Sequence, residues 1–159
     1  MTWQSHSLAN GALVLAASGR IDMTLAAIVT ATLPDQLEKF LPLARHRGAS
    51  HWLGFWMLAF AFAPALLKTY LGELHHGPRM VLACVIFGTI LGPLLHVVLD
   101  GCSARGVPVL PFTRTRLRLS LYSTRNAQAG GLNFSEFFFL ACLLGGCACV
   151  WQSRWPPGH

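Results

Sequence analysis

Apolar residues fall into three long runs along this chain of 159 residues: 51–67 (HWLGFWMLAFAFAPALL), 80–99 (MVLACVIFGTILGPLLHVVL) and 135–152 (SEFFFLACLLGGCACVWQ). Each is long enough, or nearly so, to cross about 30 Å of hydrocarbon as a helix, which predicts three membrane spans. The N-terminal part is interrupted. Residues 7–18 (SLANGALVLAAS) and 21–33 (IDMTLAAIVTATL) are both apolar, but Gly19, Arg20 and Asp22 break them up. One continuous span of about 25 residues would carry an arginine and an aspartate near mid-membrane, at a cost of several kcal/mol. A short hairpin of two helices is expected instead. The fold class that follows is an all-α, polytopic membrane protein of about five helical segments. No repeat, low-complexity tract or linker divides residues 1–159, which are read as a single helical membrane domain.

Composition agrees with the pattern: 53% of residues are hydrophobic and 11% charged, and the mean hydropathy is +0.50. Residues 1–5 carry no basic stretch before the first apolar run, so no cleaved signal peptide is expected. Cys84, Cys142, Cys147 and Cys149 lie inside predicted spans and Cys102 just past one, which reads as small-residue packing and not as a disulfide frame. The net charge of +6 does not imply nucleic acid, because the bases lie mostly beside spans, where they report topology.

With an N-terminal hairpin, residues 1–6, the 34–50 loop and the 100–134 loop share one side of the membrane. That side holds eight bases (Lys39, Arg45, Arg47, Arg105, Arg114, Arg116, Arg118, Arg125), against four on the other (Arg20, Lys68, Arg79, Arg154). The positive-inside rule makes the first side cytoplasmic and the C-terminus periplasmic. The same topology gathers the chain's unusual polar residues at that face: His6, Asp35, Glu38, His46, His51, His96, Asp100 and Glu136.

Within this group, His96 and Asp100 are four residues apart and share a helix face with Gly88 and Gly92, giving G-x-x-x-G-x-x-x-H-x-x-x-D. The glycines admit a close helix neighbour, here taken as a face for a membrane-protein partner. The imidazole and carboxylate suit a metal or a general base with its orienting acid, and ionisable groups in spans are functional by default. The plainer alternative is a hydrogen bond that fixes packing. His46 and His51 would point roughly 140° apart on one helix. Gly48 is therefore expected to turn the chain, with Ser50 as N-cap and His51 at the first helical position, so that both imidazoles face one point. Asp35 and Glu38 form a carboxylate pair after Pro34, while His75 and His76 are read as loop residues on the far side. No G-x-S-x-G elbow or phosphate-binding glycine loop is present. Mixed histidine and carboxylate ligands suit zinc, manganese or iron over calcium or magnesium.

Leu33-Pro34-Asp35, His46-Arg47-Gly48-x-Ser50-His51, His96-x-x-x-Asp100 and Gly106-Val107-Pro108-Val109-Leu110-Pro111-Phe112 occur in this order. Together they resemble the YdjM-like family of bacterial inner-membrane proteins, described as metal-dependent hydrolases, whose patterns are approximately LPD-x-DH, HRG-x-TH-S, H-x-x-x-D and GVPLLWPF. The resemblance runs from about residue 6 to 140 and also takes in His6 and Glu136. It implies a helical membrane protein binding divalent metal, zinc first, and distantly similar to the helical phospholipase C and nuclease class, which cleaves phosphoesters. Where the family has Asp-x-Asp-His, this chain reads Asp35-Gln36-Leu37-Glu38, losing two ligands.

The expected site therefore has Asp35, His46, His51, His96 and Asp100 on the metal, His6, Glu38 and Glu136 as catalytic or proton-carrying groups, and Arg47, Arg114, Arg116 and Arg118 for an anionic substrate. The expected activity is hydrolysis of a phosphoester or lipid-linked substrate at the cytoplasmic interface of the inner membrane. The alternative is a non-catalytic interaction protein that keeps the cluster as a structural clamp.

Overall fold

In the computed structural model, residues 2–40, 49–71, 77–109, 115–123 and 134–155 are described. Helix α1 (Trp3–Ser18) turns at Gly19 into α2 (Ile21–Thr30). Gly19 has φ 66° and its N–H caps Leu15 O, the left-handed helix ending that favours glycine. Arg20 and Asp22 pair at this tip, Nη2 to Oδ2 2.6 Å, so neither charge is left alone.

The expected second segment ran to residue 33. It ends instead at Thr30, and a new helix, α3 (Leu33–Phe40), begins where a loop was expected. Pro34 explains the change: without an N–H it suits a helix's first turn and cannot extend the helix before it. A 3₁₀ turn (Ala49–His51) then leads into α4 (Leu53–Leu71), and α5 (Pro78–Gly101) and α6 (Phe134–Arg154) follow. Helices α4, α5 and α6 are long and apolar enough to cross a membrane, matching the three predicted runs. Phe55, Phe62 and Leu66 of α4 and Phe137 and Phe138 of α6 point outward. Such surfaces suit lipid, where helices satisfy their own backbone.

Helix α5 is central. Its most apolar stretch is 44% buried inside the protein, against 22% for α4 and 11% for α6. Gly88 and Gly92 let α2 in: a Cβ on Gly88 would strike Met23 O, and one on Gly92 would strike Ala27 O and Thr30 Oγ1. The seam read as a partner face is therefore filled by the chain's own α2, and that expectation is corrected. On the opposite flank, Leu53, Trp56, Leu94, Val97 and Val107 form an apolar cluster that also takes Leu37 of α3.

Helix α6 packs along α1. Thr2 N donates to Glu136 Oε1 at 3.0 Å at one end, and Arg154 Nη1 donates to Ala17 O at 2.9 Å at the other. The hairpin is short as expected, with 16 residues in α1 and 10 in α2, and α6 packs along its first arm.

The end of α5 is closed by a strand pair within the segment expected as the 100–134 loop. β1 (Val107–Pro108) pairs antiparallel with β2 (Arg116–Leu117). The segment after β2 supplies donors to the last carbonyls of α5. Leu119 N reaches Gly101 O at 2.9 Å, Leu121 N reaches Cys102 O at 2.8 Å, and Tyr122 Oη reaches Leu99 O at 2.8 Å. These satisfy carbonyls a helix end otherwise leaves open, and so fix the turn that carries Asp100.

Candidate metal centre

The starts of α1, α4 and α6 and the ends of α2 and α5 lie at one end of the bundle, as the topology predicted. His96 and Asp100 occupy successive turns of α5, both buried, with Nε2 and Oδ2 3.8 Å apart. His6 arrives from the first turns of α1. Its ring stacks on His96 with centroids 3.9 Å apart, and its Nε2 lies 3.4 Å from Asp100 Oδ1.

The other side of the cluster is built by α3 and the 3₁₀ turn. Asp35 and Glu38, three apart on α3, face the same way and hold His51 between them. Glu38 Oε1 is 2.9 Å from His51 Nδ1, and Asp35 Oδ1 is 3.3 Å from His51 Nε2. His51 Nε2 also lies 3.7 Å from Asp100 Oδ2, and His96 Nε2 lies 3.7 Å from Asp35 Oδ1.

Ser50 was expected to cap the next helix, with His51 at its first position. His51 instead closes the 3₁₀ turn, and Ser50 Oγ donates to Glu38 Oε1 at 3.1 Å. Its backbone is held by Trp56, whose Nε1 donates to Ser50 O at 2.8 Å, while Trp52 Nε1 donates to Val109 O at 2.6 Å. These indole contacts anchor the turn that aims His51.

The distances discriminate between chemistries. Among the contacts between the described histidines and carboxylates, His51 Nδ1 to Glu38 Oε1 is the one short enough for a strong hydrogen bond. Contacts among the three Nε2 atoms and the oxygens of Asp35 and Asp100 run from 3.3 to 3.8 Å. Two ligands each about 2.1 Å from a tetrahedral zinc lie roughly 3.4 Å apart, so these spacings match edges of a coordination shell. Two triplets, His6/His96/Asp100 and Asp35/His51/His96, each bring their ligand atoms within 4.8 Å of one another, and they share His96. Both nitrogens of His96 are buried without a hydrogen-bond partner among the described residues, which leaves Nε2 free to take a metal.

The electrostatics of the 3₁₀ turn follow from the same contacts. Burial alone would lower the His51 pKa, but Asp35, Glu38 and the charge of Asp100 outweigh it and push His51 up to about 9. Burial would raise Asp35, yet His51 and His96 hold its carboxyl below the ordinary value. Without metal, the pair is an imidazolium and a carboxylate.

The structure thus brings together His6, Asp35, Glu38, His51, His96 and Asp100. Glu136 is fully buried at the start of α6 and accepts from Thr2 N, two residues into the chain that carries His6. Arg116 and Arg118 are exposed on and beside β2 and pair with none of the described carboxylates. His46, Arg47 and Arg114, and with them the turn expected at Gly48, lie outside the described residues. The cysteines are free, and those among the described residues join neither triplet. Sequence reading passed over Asn10, a buried amide inside an apolar run whose only signal is its polarity there.

The family model for the YdjM inner membrane protein matches residues 1–155. The chain belongs to this family. No curated protein and no solved structure matches it. Against the YdjM-family pattern Asp-x-Asp-His, the second carboxylate position is Leu37, which packs into the apolar cluster with Leu53, Trp56 and Val97. The histidine position is Glu38, which reaches His51 Nδ1. One of the two departures from the pattern packs into the core and the other pairs with His51.

Proposed function

We propose that this YdjM-family protein is a membrane-embedded, metal-dependent hydrolase with one divalent ion, zinc before manganese or iron, at the bundle end. The observation that carries the reading is the convergence of His6, His51 and His96 Nε2 with Asp35 and Asp100 at shell-edge spacings. The sharing of His96 by the two triplets supports a single ion. Bound there, a divalent metal would act as a Lewis acid and lower the pKa of water toward neutrality.

The chain's own groups divide the remaining work. The Asp35 side chain is 20% exposed where those of His6, His51, His96 and Asp100 are 4% or less, so among the ligands it is the one water reaches first. Glu38 holds the Nδ1 proton of His51, presenting Nε2 inward, an outer-shell duty and not a proton transfer to substrate. Glu136 steadies the start of α1 and with it His6. Arg47, Arg114, Arg116 and Arg118 supply positive charge for a phosphoester or lipid-linked anion. The excess of bases beside this end puts it at the cytoplasmic face.

The deciding experiment offers metal-loaded, detergent-purified protein a panel of soluble and lipid-linked phosphoesters, beside His96→Ala and Asp100→Ala. Hydrolysis by wild type and loss in both variants supports the reading. Stoichiometric metal with no turnover on any substrate replaces it with the clamp, which the tie from α3 through His51 to α5 would serve.

A further inference from the structure

Asn10 is fully buried on α1, one turn beyond His6. Its Nδ2 donates at 2.8 Å to Gly92 O, and Gly92 lies one turn before His96 on α5. The amide therefore bridges the two helices directly below the stacked His6 and His96 rings. The bond to a carbonyl settles which way the amide faces: flipped, it would set oxygen against oxygen. The remaining atom, Oδ1, is thus an acceptor, and it has no hydrogen-bond partner among the described residues. The same holds for Nδ1 of His6 and Nδ1 of His96.

These three atoms are chemically complementary. If Nε2 of each ring faces a metal, Nδ1 of each carries the proton and must donate. Two donors and one acceptor thus lie on adjoining turns of two helices that Asn10 ties together. Helix geometry brings them together, because side chains lean toward a helix's N-terminus. On α5 this tips His96 back toward Gly92, and on α1 it tips Asn10 toward His6. One ordered water with three polar partners satisfies all of them, accepting twice and donating once.

We infer that Asn10 is a positioning residue for the metal centre: through one water, its carboxamide oxygen takes the Nδ1 protons of His6 and His96 and holds both rings with Nε2 toward the ion. This rests on the metal reading above. It gives each histidine an outer partner, Glu38 for His51 and Asn10 for the other two. It also accounts for an amide in mid-helix, where packing alone calls for a small apolar residue.

The test uses Asn10→Leu, which removes the acceptor at similar volume; Asn10→Val, smaller and equally without an acceptor, serves if the leucine variant does not fold. Zinc affinity by chelator competition is expected to fall about 10- to 100-fold in either variant. Nitrogen-15 spectra of histidine-labelled, zinc-loaded protein should show His6 and His96 protonated at Nδ1 in wild type, and mixed tautomers in Asn10→Leu or Asn10→Val. Wild-type affinity and unchanged tautomers in the leucine or valine variant would reduce Asn10 to a packing contact and overturn the inference. If wild type itself binds no zinc, manganese or iron, the metal reading fails first and this inference with it, so the two failures are told apart.

Discussion

His6 of α1 stacks face to face on His96 of α5, with ring centroids 3.9 Å apart and planes 24° apart. Neutral imidazole is the form that binds metal. The Nε2 atom of each ring also lies within 4 Å of an Asp100 oxygen. Replacing His6 with phenylalanine should keep the stack and remove a ligand. Fold and melting temperature are expected to hold within a few degrees while zinc affinity drops at least tenfold, measured by chelator competition beside circular dichroism.

Glu38 gives a second check. Glu38→Ala leaves His51 Nδ1 without its close carboxylate, and loss of such an outer partner typically weakens metal binding about 10- to 100-fold. Turnover per bound metal should change little, because Glu38 orients a ligand and touches no reacting atom. A loss of turnover at full metal occupancy would return Glu38 to the proton-transfer role expected from sequence.

The pH dependence has a definite sign. In metal-free protein the His51 pKa is raised from 6.5 to about 9. A group raised on folding stabilises fully below its unfolded pKa and loses that contribution as pH climbs through the folded value. Metal-free protein should therefore melt at progressively lower temperature between pH 6.5 and 9, and His51→Asn should flatten that trend. Metal must displace the same proton, so affinity should rise with pH over this window, with proton release visible by calorimetry in buffers of different ionisation enthalpy.

The glycine seam predicts a folding defect and not an association defect. Gly92→Ala places a Cβ against Ala27 O and Thr30 Oγ1 of α2, and overpacking of this kind costs about 1–3 kcal/mol. Thermal unfolding in detergent should show the loss, with the elution volume of the folded fraction unchanged.

The three spans were legible because lipid demands long apolar runs, and the meeting of the polar residues followed from counting crossings. His96 and Asp100 were legible from their spacing of four. Other features depend on contacts between distant segments. Nothing local shows that Leu37 turns into the core while Glu38 reaches His51, or that Ser50 serves Glu38 instead of capping α4. The Gly88/Gly92 stripe announced a close helix neighbour, but not that α2 of the same chain fills it. Helix α3 escaped notice because it is short and polar, with Pro34 in its first turn as its main signal.

Orientation is open to a simple experiment. A reporter fused after His159 should read as periplasmic if the site end faces the cytoplasm, and a cytoplasmic signal would invert the topology.

The central claim, one ion held by His6, His51, His96, Asp35 and Asp100, is tested most directly by counting metal in the detergent-purified chain. Wild type is expected to carry one equivalent of zinc, manganese or iron per chain, and His96→Ala, folded by circular dichroism, almost none. Substoichiometric metal in wild type, two or more equivalents, or an undiminished content in His96→Ala would contradict it.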